Sequence, residues 1–266
     1  MDVGKWLFTE EELLARRGEC NSSTKQALAF KGIDYSLTTS EERSILLYYH
    51  QKINDICKYF KYEVSTLLTS HLIFSRVHIS KPILDVKYDL KHVMLASVFL
   101  ASKIDEKHTV LSAFSTKIPG TNQQHISELE FILLDWLEYD LMFDLAVEPM
   151  TALLVDAFGS LDKAVHIAIC NILVSMYMTD LPHLYSSVHL AMAAIKQWSL
   201  KTGDQRFDEY IRLLEEKTGQ EFSSVIKKII EFSSSQPTTF DARFLKEIDS
   251  KLSECRSKLI AQEQQQ

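Results

Sequence analysis

Apolar residues recur every three or four positions along most of the chain, which is the spacing of one face of an α-helix. Between residues 40 and 60, for example, Ile45, Tyr49 and Ile53 fall on one face. Ser40 is predicted to cap this helix with its hydroxyl, and the two glutamates that follow suit the positive end of the helix dipole. The same pattern predicts further helices along the rest of the chain.

One predicted helix, residues 88–103, is apolar on nearly every side, which is typical of a helix buried at the centre of a domain. Gly159 is predicted to end a helix that starts near Pro149, because glycine readily adopts the left-handed conformation of a helix C-terminus. Residues 233–237 are predicted to form a linker, and a last helix follows with apolar residues three and four apart over 245–259. The other predicted helices are 64–79, 110–114, 122–141, 161–178, 184–200, 204–216 and 221–232.

The composition favours helices over β-rich architectures. The 266 residues include 7 glycines and 5 prolines, where average usage would give about 19 and about 13. A chain so poor in turn residues has few tight hairpins, so sandwiches, barrels and propellers are not expected. The glycines also lie too far apart for a dinucleotide-binding loop, a P-loop or a nucleophile elbow, which removes the commonest enzyme signatures.

The net charge and the spacing of the cysteines limit the possible classes of function further. The formal net charge is -7, with no run of four basic residues, so direct nucleic-acid binding is not expected. Cys20, Cys57, Cys170 and Cys255 form no C-x-x-C pair, and free thiols of this kind fit the cytosol or nucleus. The longest nearly apolar run, 93–101, is too short to span a membrane, and the N-terminus carries no signal-peptide pattern.

A weak internal repeat relates the two halves of the chain. Tyr88, His92, Ala96 and Ser102 recur as tyrosine, histidine, alanine and serine 97 positions later. Helices produce such matches by chance, so the offset alone leaves the repeat undecided. A true repeat would divide the chain into two helical units of roughly 90–100 residues each.

The stretch from Val93 to Glu106, in which Leu100-Ala101-Ser102-Lys103 precedes an acidic pair, resembles the third helix of a cyclin box. Residues 129–141 are similar to the fifth cyclin helix. The resemblance implies an all-α protein with two tandem five-helix cyclin-type repeats and additional N- and C-terminal helices. It implies these divisions: an N-terminal helix and connector at 1–39, a first repeat at 40–145, a second repeat at 146–232, and a linker with a C-terminal helix at 233–266.

Several short segments scattered along the chain are most similar to H-type cyclins, and Asp180–Tyr185 is one of these segments. The motif that docks substrates on cell-cycle cyclins is altered here: Arg43 is retained, but Glu42 precedes it, and Ser75 stands where its acidic partner is expected. A glutamate in that apolar groove weakens hydrophobic docking, which favours a transcription-associated cyclin. The other matches are Trp6, Phe8, Glu11, Leu13 and Arg16 near the start, and Leu245, Lys251, Leu252, Cys255 and Arg256 near the end.

Cyclins perform no chemistry; they bind a protein kinase and move its regulatory helix into the active position. The resemblance therefore implies no catalytic residue, no metal and no cofactor, with ATP and Mg²⁺ held by the partner kinase. It places Lys103 and Glu130 as a polar pair on the kinase-facing surface. Lys103 suits the negative end of its helix, and Glu130 borders an apolar stripe. The expected apolar contacts around the pair are Ile104, Phe131, Leu134 and Tyr139.

The implied partner is a cyclin-dependent kinase of the CDK-activating type, which phosphorylates kinase activation loops and, within TFIIH, the C-terminal repeats of RNA polymerase II. A RING-type assembly factor is a further implied partner, and the implied location is the nucleus, with the cytoplasm left open. Two alternatives stay open: a C-type cyclin attached to Mediator, and a TFIIB-like cyclin-fold transcription factor. The second would need a basic face and an N-terminal zinc ribbon, and the sequence has neither.

Overall fold

The computed structural model describes residues 5–85, 87–107, 109–236 and 241–264. These residues form thirteen helices and no strand, which confirms the all-α prediction. The helices are α1 (Glu10–Phe30), α2 (Thr39–Phe60), α3 (Val64–Ser80), α4 (Leu90–Ile104), α5 (Leu111–Lys117), α6 (Gln123–Trp136), α7 (Val147–Phe158), α8 (Lys163–Tyr177), α9 (Leu181–Leu184), α10 (Ser187–Thr202), α11 (Arg206–Thr218), α12 (Ser223–Ser235) and α13 (Ala242–Glu263).

One compact unit contains α1–α6 and α13. At its centre lies α4, in which every residue from Val93 to Ser102 is buried. The helices α3 and α6 pack along α4, and α2 packs against both α3 and α4. A helix that is apolar on all sides needs neighbours on all sides, so this arrangement confirms the predicted central position of residues 88–103.

A second compact unit contains α7–α12, and its central helix is α10. Residues 190–195 of α10 are all buried, and α7, α8 and α12 pack around them. The short segment before α1 also belongs to this unit, where the backbone N–H of Phe8 donates a 2.8 Å hydrogen bond to the carbonyl of His183. Gly159 ends α7 with a φ of 76°, as its position in the sequence predicts.

The central helices of the two units begin in the same way, 97 residues apart. Asp89 caps α4 by accepting a hydrogen bond from the backbone N–H of His92, and Ser186 caps α10 by accepting one from His189. In each case the Nδ1 atom of the histidine also lies close to the capping oxygen, at 2.6 Å in α4 and 2.9 Å in α10. This shared arrangement confirms the predicted pair of repeats.

The C-terminal helix α13 packs onto the first of these units. The Nζ atom of Lys251 lies 3.0 Å from the carboxylate of Glu41, and the Cys255 thiol donates a 3.3 Å hydrogen bond to the carbonyl of Asp34. Ile248, on the same face of α13, is fully buried. The spacing of apolar residues in this helix therefore serves packing within the unit. No helix in the described part of the chain is both long and apolar enough to cross a membrane.

The predicted cap of α2 is wrong by two residues. Thr38, and not Ser40, caps the helix: its hydroxyl accepts a 3.2 Å hydrogen bond from the N–H of Glu41, whose carboxylate accepts a 2.8 Å bond from the N–H of Thr38. This reciprocal pair satisfies two backbone donors at once. Ser40 has no such partner three residues later, because position 43 is an arginine.

The helix predicted over 122–141 ends early, at Trp136. Glu138 and Tyr139 adopt left-handed backbone conformations, with φ values of 53° and 57°, and two such residues in succession cannot continue a right-handed helix. The left-handed turn therefore ends the helix, although the apolar pattern of the sequence continues to residue 141.

Two further boundaries differ in the second unit. The helix predicted to start at residue 184 is divided, because Tyr185 is extended (φ −137°, ψ 148°) and separates α9 from α10. Residues 233–235 continue α12 instead of forming a linker, and the hydroxyl of Ser234 donates a hydrogen bond to the carbonyl of Ile230 in the preceding turn. Pro237, the end of that predicted linker, lies outside the described residues.

Candidate functional site

The packing of α4 against α6 brings Lys103 and Glu130 together. Lys103 lies in the last turn of α4, and its Nζ atom donates a 2.5 Å hydrogen bond to Oε1 of Glu130. The same ammonium lies 4.8 Å from the centre of the Phe99 ring, one turn earlier in α4. A cation held by both a carboxylate and an aromatic face has a defined position, which a recognition surface requires.

The two members of this ion pair differ in exposure. The Lys103 side chain is 49% exposed, whereas that of Glu130 is 14% exposed. An ion pair exposed to this degree adds about 1 kcal/mol or less to stability. The pair therefore contributes little to folding, and the half-exposed Lys103 side chain has N–H donors that can bind another chain.

The other four predicted contact residues lie at the end of α4, in the second half of α6 and in the turn after it. Ile104 is the last residue of α4, and Phe131 and Leu134 follow Glu130 on α6. The N–H of Tyr139, in the turn after α6, donates a 2.8 Å hydrogen bond to the carbonyl of Leu134. Phe131 and Tyr139 are 69% and 70% exposed. Exposed aromatic side chains mark candidate interaction sites, and contact of these residues with a kinase stays a prediction.

We call Lys103, Glu130 and the four expected contact residues the Lys103–Glu130 surface. Residues with strained backbone conformations lie next to this surface. Among the described non-glycine residues, positive φ values occur at Lys61, Glu106, Glu138 and Tyr139. Three of the four directly follow α4 or α6. The N–H of Glu106 donates a 3.0 Å hydrogen bond to the carbonyl of Lys103, which closes the last turn of α4. Each such residue costs about 1–2 kcal/mol, so the neighbouring contacts hold these turns in place.

The turn after α4 is tied to the start of α3. The hydroxyl of Thr66 donates a 2.7 Å hydrogen bond to the carboxylate of Asp105, and Nζ of Lys107 lies 2.8 Å from the carboxylate of Glu63. Thr66 is fully buried. These links position the C-terminus of α4, and therefore the side chain of Lys103.

A histidine joins the beginning of α4 to the beginning of α6. The Nε2 atom of His92 accepts a 3.1 Å hydrogen bond from the backbone N–H of Asn122, so its Nδ1 carries the proton that bonds to Asp89. Burial opposes ionisation of Asp89, but the bonds from His92 and the charge of Arg256 outweigh it and lower the pKa of Asp89 to about 2. This carboxylate stays ionised and anchors the capped end of α4.

Two features of this region escaped the sequence reasoning. Met142 is 68% exposed just beyond Tyr139, but a single methionine in a connection belongs to no pattern. Thr66 was missed because its partner, Asp105, lies 39 residues away.

The Lys103–Glu130 surface has groups suited to binding another chain. In the described part of the chain, no group of three or more histidine, cysteine, aspartate or glutamate side chains could hold a metal ion. A catalytic site would need a nucleophile or an acid–base pair directed at a common point. The Lys103–Glu130 surface instead presents one cation and two aromatic rings.

Comparison with known proteins agrees with this fold. Residues 14–142 match the family model of the cyclin N-terminal domain, which identifies this segment as a domain of the cyclin family. It is 24% identical over 71% of its length to the cyclin mcs2 of Schizosaccharomyces pombe, of which the alignment covers 65%. It is 23% identical over 94% of its length to cyclin-H1-1 of Arabidopsis thaliana, of which 86% is covered. These relatives confirm the predicted similarity to H-type cyclins.

A solved structure shows the same architecture over nearly the whole chain. The fold matches that of a chain in the CAK complex of Chaetomium thermophilum bound to ATP-γ-S, with a TM-score of 0.78 and 17% sequence identity. The match covers 97% of this chain and 91% of the other. The likeness extends beyond residues 14–142 and therefore includes both helical units.

Proposed function

We propose that the chain is the non-catalytic regulatory subunit of a cyclin-dependent kinase of the CDK-activating type. The observation that carries the proposal is the Lys103–Glu130 ion pair, which joins the end of α4 to the middle of α6 inside the segment that matches the cyclin N-terminal domain. The similarity to cyclin-H1-1 and to a chain of a CAK complex supports the CDK-activating type.

The Lys103–Glu130 surface can bind a kinase segment through its main chain. The ammonium of Lys103 has donors for backbone carbonyls, and the carboxylate of Glu130 has acceptor positions for backbone N–H groups beyond the bond it already accepts. Phe131 and Tyr139 add exposed aromatic area beside the pair. Fixed polar groups set the register of the docked segment, and apolar burial supplies affinity.

Activation follows from holding the regulatory helix of the kinase in one position. The kinase requires its conserved lysine–glutamate pair to be assembled before it transfers phosphate. A cyclin that binds only the assembled arrangement shifts the equilibrium towards it. ATP and Mg²⁺ bind to the kinase, and this chain contributes no catalytic group.

The proposal also covers the substrates, the partners and the cellular location of the kinase. Its substrates would be the activation loops of other cyclin-dependent kinases and the C-terminal repeats of RNA polymerase II. The complex would include a RING-type assembly factor, belong to TFIIH and act in the nucleus. The resemblance to H-type cyclins supports this setting.

The first test is to purify the full chain from its source cells under mild conditions and identify its stoichiometric partners. We expect a cyclin-dependent kinase together with a RING-type protein. A kinase accompanied by Mediator subunits would contradict the CDK-activating type, and absence of any kinase would contradict the regulatory role itself.

The second test separates regulation from catalysis. The purified kinase should phosphorylate an activation-loop peptide and a peptide of the polymerase repeat faster when the chain is added. The chain alone, incubated with ATP and Mg²⁺, should transfer no phosphate. Transfer without the kinase would contradict the proposed non-catalytic role.

A further inference from the structure

Three lysines and one exposed tyrosine form a basic patch in the first unit, where α2 and α5 end. We call Lys58, Tyr59, Lys61 and Lys117 the lysine–tyrosine patch. Lys58 lies in the last turn of α2, Lys61 is the residue that ends this helix, and Lys117 lies in the last turn of α5. The three lysines are exposed, and Tyr59 is 61% exposed.

Aromatic packing holds the two helix ends together. The ring of Phe60, in α2, stacks on the ring of the fully buried Phe114, in α5, with the ring centres 5.0 Å apart. The Nζ atom of Lys117 lies 5.6 Å from the centre of the Phe60 ring and 5.9 Å from that of Tyr59. Lys117 is therefore held beside the end of α2, where the other residues of the patch lie.

The acidic residues nearest to the end of α2 along the chain already bind other lysines. Oδ2 of Asp55 lies 3.1 Å from Nζ of Lys52, and Oε1 of Glu63 lies 2.8 Å from Nζ of Lys107. Within the part of the chain that the structure describes, the three lysines of the patch form no ion pair. Their charges are therefore available to a partner.

Helix dipoles account for only part of this charge. The C-terminus of a helix is equivalent to about half a negative charge, so the ends of α2 and α5 together offset about one of the three positive charges. About two positive charges remain, in a chain whose formal net charge is -7. Neighbouring like charges repel one another, and an anionic partner would relieve that repulsion.

Tyr59 gives the patch an apolar part. Its exposed ring offers hydrophobic area, and its hydroxyl can donate a hydrogen bond to a carboxylate. Exposed aromatic side chains mark interaction sites, and tyrosine is enriched at protein interfaces. An aromatic ring beside three lysines without acidic partners suits a segment that carries both carboxylates and an apolar side chain.

We propose that the lysine–tyrosine patch docks an acidic peptide segment of a partner protein. The carboxylates of the segment lie at Lys58, Lys61 and Lys117, and an apolar side chain lies against Tyr59. A single-stranded nucleic acid is bound by a longer basic groove with several ring faces for stacking. The patch has three lysines and one exposed ring, which fits a short acidic peptide better.

The inference does not depend on the proposed function, because the patch shares no residue with the Lys103–Glu130 surface. Peptide binding and kinase binding are measured separately. A chain that binds the acidic peptide but no kinase would contradict the proposed function alone. A chain that binds a kinase but no acidic peptide would overturn the docking role of the patch alone.

The test measures binding of a fluorescein-labelled peptide to the full chain by fluorescence anisotropy, at low and at physiological ionic strength. The probe is a short peptide of aspartates and glutamates around one phenylalanine, and a comparison peptide has lysines in place of the acids. The variant Lys58→Gln/Lys117→Gln removes two charges of the patch. The control variant Lys31→Gln/Lys246→Gln removes two exposed charges elsewhere, and thermal unfolding checks that both variants fold.

We expect saturable binding of the acidic peptide that weakens as the ionic strength rises, and no binding of the lysine peptide. The affinity should fall about tenfold in Lys58→Gln/Lys117→Gln and less than about twofold in Lys31→Gln/Lys246→Gln. Absence of binding to the unaltered chain would overturn the proposal. Equal weakening in both variants would also overturn it, because binding would then follow net charge and not the patch.

A second arm tests the apolar contact and the class of partner. A peptide with alanine in place of the phenylalanine should bind several-fold more weakly to the unaltered chain and as well as the phenylalanine peptide to Tyr59→Ser. A preference for phenylalanine that survives in Tyr59→Ser would overturn the contact with Tyr59. A single-stranded oligonucleotide of equal charge is titrated in parallel, and tighter binding of it than of the acidic peptide would overturn the assignment to a peptide.

Discussion

The hydroxyl of Thr66, fully buried at the start of α3, donates a 2.7 Å hydrogen bond to the carboxylate of Asp105, two residues after Lys103. The bond joins residues 39 positions apart and fixes where α4 ends. The direction of the Lys103 side chain depends on where α4 ends. A residue that the kinase would not touch therefore helps to position one that we propose it does touch.

Replacing Thr66 by valine keeps its shape and removes the hydroxyl. We expect Thr66→Val to lower the free energy of unfolding by about 1–2 kcal/mol, because Asp105 loses a buried donor. Kinase affinity should fall several-fold as Lys103 becomes less well positioned. Urea unfolding and a kinase-binding titration measure the two effects. The control is Thr202→Val in α10, which removes only bonds from the hydroxyl to the carbonyls of Trp198 and Ser199 in its own helix. Equal losses in both variants would contradict a positioning role.

The Lys103–Glu130 pair should matter for binding much more than for folding. We expect Lys103→Ala/Glu130→Ala to weaken kinase binding by about 2–4 kcal/mol, which is roughly 30- to 1000-fold, since charged groups at an interface are often hot spots. Stability should change by about 1 kcal/mol or less. Surface plasmon resonance against the partner kinase, with thermal unfolding of the free chain, tests both statements.

The matched control for this variant is another exposed ion pair on the same unit. Lys52 and Asp55 lie 3.1 Å apart on α2, with side chains 43% and 68% exposed. Lys52→Ala/Asp55→Ala removes the same charges away from the proposed contact. Unchanged affinity in Lys103→Ala/Glu130→Ala, or an equal loss in the control, would show that the kinase binds elsewhere.

Glu106 occupies a backbone conformation that suits glycine. With a φ of 56° it closes the last turn of α4, and glycine would relieve a cost of about 1–2 kcal/mol while making the unfolded chain more flexible. We expect Glu106→Gly to raise the free energy of unfolding by about 0.5 kcal/mol. Glu254→Gly, inside α13, should lower it by about 1 kcal/mol. Urea unfolding measures the free energy of unfolding of both variants. A lower value in Glu106→Gly than in the unaltered chain would mean that the Glu106 side chain has a stabilising role.

Acid should destabilise the chain partly through Asp89. Its folded pKa of about 2 lies below the ordinary value of 3.8, so its contribution is present above about pH 4 and is lost as the pH falls from about 4 to about 2. We expect Asp89→Asn to lower stability at pH 7 by about 1 kcal/mol and to flatten the pH dependence in that range. Melting temperatures between pH 2 and pH 7 would show this. Asp55→Asn serves as the exposed control, and parallel curves for Asp89→Asn and the unaltered chain would contradict the assignment.

The C-terminal helix should contribute to stability through its buried face. Ile248 of α13 is fully buried, whereas Ile260 of the same helix is 36% exposed. We expect Ile248→Ala to lower the free energy of unfolding by about 2–4 kcal/mol, because it removes buried atoms and leaves a cavity. Ile260→Ala should lower it by less than about 1 kcal/mol. Similar small effects in both variants would show that α13 does not pack stably in solution.

Local patterns predicted most of the helices, because helix formation depends on residues three and four positions apart. The central place of α4 follows from its apolar residues on every side, and the end of α7 follows from Gly159. Errors arose where specific hydrogen bonds compete with that spacing. The reciprocal bonds of Thr38 and Glu41 moved the start of α2, and the left-handed turn at Glu138 shortened α6.

The sequence by itself determined the all-α class and, through resemblance to cyclins, the two repeats and the pairing of Lys103 with Glu130. Only the tertiary structure decided how those two side chains meet and that Thr66 supports them. Each of these arrangements joins residues far apart in the chain. Their distances depend on how helices pack. Helix periodicity shows which face of a helix is buried, but not which residues of another helix meet that face.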